Sequence, residues 1–181
     1  MKALMSFLIF LTSTLCGYSQ SSVTGTQQTV ATQHEAFSDI INIGELIKSV
    51  KESNVNIKKI AEKSGYSFRG RYHEPDLNDL YYENVYYKNC MVTADGTPIK
   101  YGKGNSSVLI AGSIGFGPFV SISVFNKRAY NYIKSEIRNR FLFKTAEVDG
   151  KITTLKKGNE VVDVYVDGNE YCFTFYTVHT E

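Results

Sequence analysis

Three two-residue turns near the C-terminus place the strongest constraint on the fold of this chain. Asp149-Gly150, Gly158-Asn159 and Asp167-Gly168 separate segments in which apolar and polar residues alternate. Gly, Asp and Asn supply the positive φ angles that tight β-hairpin turns require. Alternation with a period of two is typical of strands with one buried face. The pattern predicts a four-stranded antiparallel meander over residues 141–148, 151–156, 160–166 and 169–178.

Two other segments have the period of an amphipathic helix. Between residues 39 and 64, Ile, Leu, Val and Ala recur every three or four residues, and Lys and Glu occupy the other side. Ser38 or Asp39 is the candidate N-cap of this helix or helix pair, and Gly65 is its candidate C-cap. A second helix is predicted over residues 127–139.

Four further strands are predicted between the two helices, over residues 67–72, 85–93, 107–111 and 119–125. The fold class is therefore α+β, with two tandem units (38–126 and 127–181) of a helix or helix pair plus a four-stranded antiparallel sheet. We expect residues 38–181 to form one globular domain, in which helices cover one face of a single curved sheet. This element order resembles the tandem helix-plus-four-strand proteins typified by beta-lactamase inhibitory protein. The resemblance implies architecture rather than function.

The N-terminus has the pattern of a cleavable export signal. Lys2 is followed by an apolar run, Ala3 to Leu15, that is too short to span a bilayer. Small residues up to Ser19 suit cleavage before Gln20, so residues 1–19 are predicted to be removed and the protein to be periplasmic or secreted. The short positive region and the Gln after the cut resemble the signals of exported proteins of Bacteroidota-type bacteria.

The chain before residue 38 is not expected to join the folded domain. Residues 20–37 are rich in Ser, Thr and Gln and lack the apolar side chains that would offset the entropy of ordering, so they are predicted to be a flexible leader. The alternatives to cleavage are that residues 1–19 stay as an anchor, or that Cys16 carries a lipid. A lipidated Cys usually follows Gly, Ala or Ser, whereas Leu15 precedes this one, which favours the cleaved form.

The charge balance argues against nucleic acid and anionic membranes as partners. The chain has 20 Lys and Arg residues against 18 Asp and Glu residues, which leaves no long-range field to attract a polyanion. Residues 56–67 resemble the helix-turn of arabinose-regulator-type DNA-binding domains. A recognition helix would have to begin near Ser67, however, where a strand is predicted. No transmembrane segment is predicted in the mature chain.

Removal of the signal leaves two cysteines, Cys90 and Cys172. In an oxidising compartment they can form one disulfide, which would contribute about 3–5 kcal/mol because the loop it closes is long. Alternation places both on the same face of the sheet, as a bridge requires. The alternative is two buried free thiols. Neither Cys belongs to a CxxC pair and no His has the spacing of a metal ligand, so neither a metal nor a cofactor is predicted.

Motifs of catalysis are missing from the sequence. The three His residues are His34, His73 and His179, and none belongs to a HExxH helix or accompanies a Gly-x-Ser-x-Gly elbow. The acidic segment 73–79 is predicted to be a solvated loop rather than a calcium site, and the Gly-rich residues 112–118 a wide hairpin turn. The chain is predicted not to be an enzyme. A carboxylate-based envelope enzyme acting on a glycan or an ester is the alternative.

The face of the sheet without helices is the predicted binding site. Alternation assigns Val120, Ile122 and Val124, Val162, Val164 and Val166, and Phe173 and Phe175 to the core, and the outward set mixes aromatic and hydroxyl side chains, which suit recognition. This set comprises Tyr86, Lys88, Phe119, Ser121, Ser123, Phe125, Asp163, Tyr165, Thr174 and Tyr176. We expect it to hold another protein in the envelope or outside the cell, with a polysaccharide or a peptide as the alternative ligand. A plain solvated face is the other interpretation.

Overall fold

The computed structural model describes residues 37–52, 56–72, 83–114 and 117–178. Within these ranges it contains the helices α1 (Ile43–Lys51), α2 (Ile57–Lys63) and α3 (Lys127–Ser135), and a π-helical turn, Glu136–Arg140, continues α3. The predicted signal, the leader up to residue 36, the acidic segment 73–79 and the three His residues lie outside the described residues.

The described residues also contain ten strands. They are β1 (Ser67–Tyr72), β2 (Glu83–Lys88), β3 (Cys90–Val92), β4 (Pro98–Tyr101), β5 (Ser107–Ile114), β6 (Gly117–Val124), β7 (Lys144–Asp149), β8 (Ile152–Lys157), β9 (Glu160–Asp167) and β10 (Glu170–Thr177). Eight of them form one antiparallel sheet in the order β1-β2-β5-β6-β10-β9-β8-β7, while β3 pairs with β4. The order reads alike from both ends, because each unit contributes a four-stranded meander and the two meanders join through β6 and β10. The predicted α+β class and the tandem units of helix plus four-stranded sheet are confirmed.

The caps of the helices explain where α1 and α3 begin. The Asn42 side chain accepts hydrogen bonds from the backbone N–H of Gly44 at 2.9 Å and of Glu45 at 3.3 Å. The N-cap of α1 is therefore Asn42 rather than Ser38 or Asp39. Asn126 caps α3 in the same way by accepting a hydrogen bond from the N–H of Ala129 at 2.8 Å.

The helices pack against one face of the sheet through a continuous apolar core. Leu46 of α1, Ile133 of α3 and Phe173 of β10 are completely buried. Burying a side chain of this size stabilises a fold by about 1.5–3 kcal/mol. Phe37 is also buried and stacks on Tyr132, with 4.4 Å between the ring centroids, so the packed core includes this residue of the predicted leader.

The first unit differs from its prediction in three places. The predicted strand 85–93 is broken at Asn89, whose φ of 55° turns the chain out of the large sheet between β2 and β3. The partner of β3, β4, was not expected. Strand β5 continues to Ile114 and β6 begins at Gly117, so Gly112 is a strand residue and the turn is shorter than predicted.

Candidate binding face

The pairing register divides the strand residues between two faces, because residues directly opposite each other point the same way. Val120, Phe175 and Val162 form one row across β6, β10 and β9, and all three are buried under the helices. The neighbouring row on the other side of the sheet runs through Ser121, Thr174, Asp163 and Thr154. We call the uncovered part of that side the open face. It comprises Ser121, Ser123, Ile152, Thr154, Asp163, Tyr165, Cys172, Thr174 and Tyr176.

Most of the predicted site residues lie on this side of the sheet. Alternation gave the correct side for every candidate on β6, β9 and β10, namely Phe119, Ser121, Ser123, Asp163, Tyr165, Thr174 and Tyr176. Phe125 follows β6 and packs on the same side against Tyr101, with ring centroids 5.2 Å apart. The structure therefore brings these residues together, and their role in binding stays a prediction.

Tyr86 and Lys88 do not belong to this face, and their predicted orientation is wrong. Tyr86 is opposite Leu109 on β5, is 2% exposed and packs in the core under the helices. Lys88 donates a hydrogen bond of 2.6 Å to the carbonyl of Ser64, which follows helix α2. Alternation failed because both faces of β2 are covered, so apolar residues at successive positions no longer identify the core side.

A hairpin made by β3 and β4 covers the outer side of β2. The side chains of Cys90 and Val92 on β3 face the large sheet and pack against its residues Val85 and Val108. At the tip, a Cβ on Gly96 would lie 3.2 Å from a methyl carbon of each of these two valines. Sequence reasoning missed this hairpin. A signal for it was present, since Asp95-Gly96 is a turn sequence with apolar residues on both sides.

Hydrogen bonds order the middle of the open face. Asp163 accepts from the Thr154 hydroxyl at 2.6 Å and from the Tyr176 hydroxyl at 2.9 Å, one on each carboxylate oxygen. Burial, together with the neighbouring Asp163 carboxylate, raises the pKa of Tyr176 to about 12. Ser121 and Thr174 share a hydrogen bond of 2.8 Å. These contacts hold a row of hydroxyl groups in fixed positions across four strands.

The apolar surface of the open face is smaller than the aromatic content of the sequence suggested. Phe119 is 6% exposed, and its ring lies across Gly112, where an added Cβ would be 2.9 Å from the ring. Tyr165 and Ile152 are directly opposite each other and are 37% and 42% exposed. The Lys151 ammonium lies 5.9 Å from the centre of the Tyr165 ring. The face thus combines two exposed apolar side chains with hydroxyl and carboxylate groups.

The predicted disulfide is absent, and both described cysteines are free. Cys172 shares a cross-strand row with Ser123 and Val108, which puts it two strand spacings, about 10 Å, from Val108. Cys90 packs on Val108, and its thiol approaches the carbonyl of Ser107 at 3.5 Å. The prediction failed because Asn89 takes Cys90 out of the large sheet. Burial raises the thiol pKa of both residues.

The described residues contain no group of three or more His, Cys, Asp and Glu side chains that could hold a metal ion. None of the helices within the described ranges is long and apolar enough to cross a membrane. Comparisons with protein-family models, with curated proteins and with solved structures find no match to this chain.

Proposed function

We propose that this chain is an exported, non-enzymatic binding protein that holds a protein partner on the open face of its sheet. The observation that carries this proposal is the unequal covering of the outer side of the sheet. The hairpin covers the first unit there, whereas in the second unit Tyr165 and Ile152 remain exposed among ordered hydroxyl groups. Aromatic and aliphatic side chains beside fixed hydrogen-bonding groups are typical of protein recognition surfaces.

The environment of Asp163 supports binding. Both of its oxygens accept hydrogen bonds from neighbouring side chains, Thr154 and Tyr176. Asp163 thereby positions the hydroxyl groups around it, which gives the surface fixed hydrogen-bonding groups of the kind that recognition uses. A carboxylate-based enzyme acting on a glycan or an ester is the alternative function, and turnover of such a substrate by the purified protein would contradict our proposal.

Export rests on the N-terminal pattern, in which Lys2 precedes a short apolar run. Mass spectrometry of the protein recovered from the cell envelope or the medium is expected to show a chain that begins at Gln20. A recovered chain that retains residues 1–19, or that carries a lipid on Cys16, would contradict the cleaved form.

Photo-cross-linking in cells tests the use of the open face. A photoreactive residue at position 165 or 152 should give adducts with another protein, because Tyr165 and Ile152 are the exposed large apolar side chains of the open face. The matched controls carry the same residue at positions 58 and 59, since Lys58 and Lys59 are exposed on helix α2 at the opposite side of the sheet. Equal yields from both sides, or no adduct from the open face, would contradict the proposal. Adducts with polysaccharide alone would change the class of ligand.

A further inference from the structure

The two halves of the sheet are equivalent in strand order but differ in what covers their outer side. In the first unit, the β3–β4 hairpin lies on β2 and β5, with Cys90 and Val92 packed on Val85 and Val108. Strands β8 and β9 hold the equivalent places in the second unit, where none of the described residues covers the open face. The outer side of the sheet therefore has the shape of a step: the hairpin adds a layer over the first unit, and the described residues add none over the second.

We propose that a second copy of this chain docks face to face on this step, so that the hairpin of each copy lies on β8 and β9 of the other. The inference rests on the proposed function, because it names a second copy of the chain as a protein partner of the open face. A two-fold axis parallel to the strands and midway between β6 and β10 produces the arrangement. Each raised half then lies opposite an empty half, and the two contacts are identical.

The strand register brings apolar side chains together in this arrangement. Val108, which lies under the hairpin, is in the same cross-strand row as Tyr165 and Ile152. Because an axis parallel to the strands preserves position along them, the hairpin of one copy meets Tyr165 and Ile152 of the other. The outer surface of the hairpin presents Met91 and Lys100, which are directly opposite each other, and Ile99 is 65% exposed beside them.

The distribution of exposed apolar side chains supports this contact. Eight large hydrophobic side chains are exposed among the described residues, and four of them, Met91, Ile99, Ile152 and Tyr165, lie on the two surfaces that would meet. Isolated surface hydrophobic residues are common in monomers, whereas a concentration on two surfaces that can meet indicates an interface. The hydroxyl groups of Ser121 and Thr174 lie near the axis, where neither hairpin reaches and ordered water can remain.

The charges of the two surfaces are complementary. Arg69, Lys100 and Lys103 lie on or beside the hairpin, and Arg69 is held there by a 3.3 Å hydrogen bond to the carbonyl of Val92. Asp95 in the hairpin turn carries one opposing negative charge, so these residues leave the hairpin with a net positive charge. The open half is richer in carboxylates than in amines: Glu147, Asp149, Asp163, Asp167 and Glu170 against Lys144, Lys151 and Lys156. Opposite charges on the two halves favour a second copy related by a two-fold axis.

Sedimentation equilibrium of the purified protein measures the self-association directly. We expect a monomer–dimer equilibrium with a dissociation constant in the range of about 1–100 µM, because the contact is of modest size. Raising the salt concentration from about 50 mM to about 500 mM should weaken it by about tenfold, since screening shortens the range of the charge attraction. A monomer at all concentrations in low salt would overturn the inference.

Paired charge reversals identify the surfaces. The double variant Lys100→Glu with Lys103→Glu makes the hairpin acidic, and Glu147→Lys with Glu170→Lys makes the open half basic. Each variant alone should stay monomeric, because both of its contacts join like charges. An equimolar mixture should form a heterodimer of about wild-type affinity. The matched control, Lys58→Glu with Lys59→Glu on helix α2, should dimerise as the wild type does. A dimer that survives either reversal, or a mixture that does not associate, would show that another surface is used.

A second readout requires no charge reversal. A photoreactive residue in place of Ile99, in a mixture of isotopically light and heavy protein, should join peptides of different copies that contain β8 or β9. Inter-copy adducts elsewhere would overturn the inference. If the protein is monomeric but its open face still cross-links to a different envelope protein, the second copy is excluded as the partner and the proposed function is retained. If neither kind of adduct forms, both the self-association and the proposed function are contradicted.

Discussion

Gly65 and Leu142 occupy equivalent positions in the two units, and each has a left-handed backbone, with φ of 76° and 62°. Each lies between the end of a helix and a buried aromatic residue, Tyr66 or Phe143, that leads into an edge strand of the sheet. The N–H of Tyr66 donates to the carbonyl of Ala61 at 2.9 Å. The N–H of Phe143 donates to the carbonyl of Ile137 at 3.1 Å, which is six residues back rather than five, because the last turn of its helix is π-helical. The two units thus share the same helix-to-strand connection as well as the same strand order.

Leu142→Gly is expected to raise the free energy of unfolding by about 0.5–1 kcal/mol. A left-handed backbone is strained for a residue with a Cβ, and the Leu142 side chain is 63% exposed, so little burial is lost. Urea denaturation measures the change. Leu142→Ala is the control, because it removes the side chain but keeps the strain, and it should give no such gain. An equal gain from both variants would contradict the backbone explanation.

Asp163→Asn is expected to lower the pKa of Tyr176 from about 12 towards the ordinary value of 10.0, since the carboxylate charge no longer opposes ionisation. Burial of Tyr176 remains, so the fall should be partial. NMR of ring-labelled tyrosine follows the titration. The pKa of Tyr66 is also raised to about 12, chiefly by burial, and serves as the internal control because it should not move.

The raised pKa of Tyr176 also predicts a pH dependence of stability. The folded state holds the phenol protonated above its ordinary pKa of 10.0. The stability that this group contributes is therefore fully present below pH 10 and is lost as the pH rises towards 12. Urea denaturation at a series of alkaline pH values should show a shallower decline for Tyr176→Phe than for the wild type. Identical declines would contradict a contribution from this group.

Asp39→Ala is expected to lower the free energy of unfolding by about 1–3 kcal/mol. Its carboxylate accepts two hydrogen bonds of 2.8 Å, from the backbone N–H and the side-chain amide of Asn105, and a third of 3.2 Å from Asn89 at the base of the hairpin. Removing it leaves partly buried donors without this acceptor. The control is Glu62→Ala, an exposed helical residue expected to cost less than about 0.5 kcal/mol. Equal effects of the two variants would contradict the anchoring role of Asp39.

Cys90 and Cys172 are expected to be recovered as free thiols. Alkylation of the unfolded protein without reductant, followed by peptide mapping, should modify both residues. In the folded protein the reaction should be slow near neutral pH, because burial raises both thiol pKa values and Cys90 is 8% exposed. A linked peptide containing both residues would show that the hairpin moves far enough to allow a bridge.

Much of the second unit follows from the sequence by local rules. The glycines of its three predicted turns, Gly150, Gly158 and Gly168, have φ values of 54°, 59° and 57°, as two-residue turns require. Strands β9 and β10 have one face in the core and one outside, so the alternation of Val162 and Val164 with Asp163 identifies the buried side. The part of the candidate site on these strands could be predicted for this reason.

The first unit could be predicted only in part, because a segment close in sequence returns to cover its outer side. The hairpin buries Val85 and Val108 on one side of the sheet, while Tyr86 and Leu109 are buried on the other. The sequence pattern indicates which positions are buried, but it does not indicate whether the helices or the hairpin cover them. The packing of the hairpin on the large sheet therefore decided the orientation of Tyr86 and Lys88 and the position of Cys90, and the local sequence pattern does not specify that packing.

The amino-acid sequence by itself determined the helices, the turns and the alternation of most strands, because these depend on residues a few positions apart. Only the tertiary structure decided that β6 pairs with β10 and that the hairpin folds over one unit and leaves the other open. Both depend on contacts between residues far apart in the chain. The free energy of such contacts comes from the surfaces that meet, and a local sequence pattern does not specify which surfaces those are.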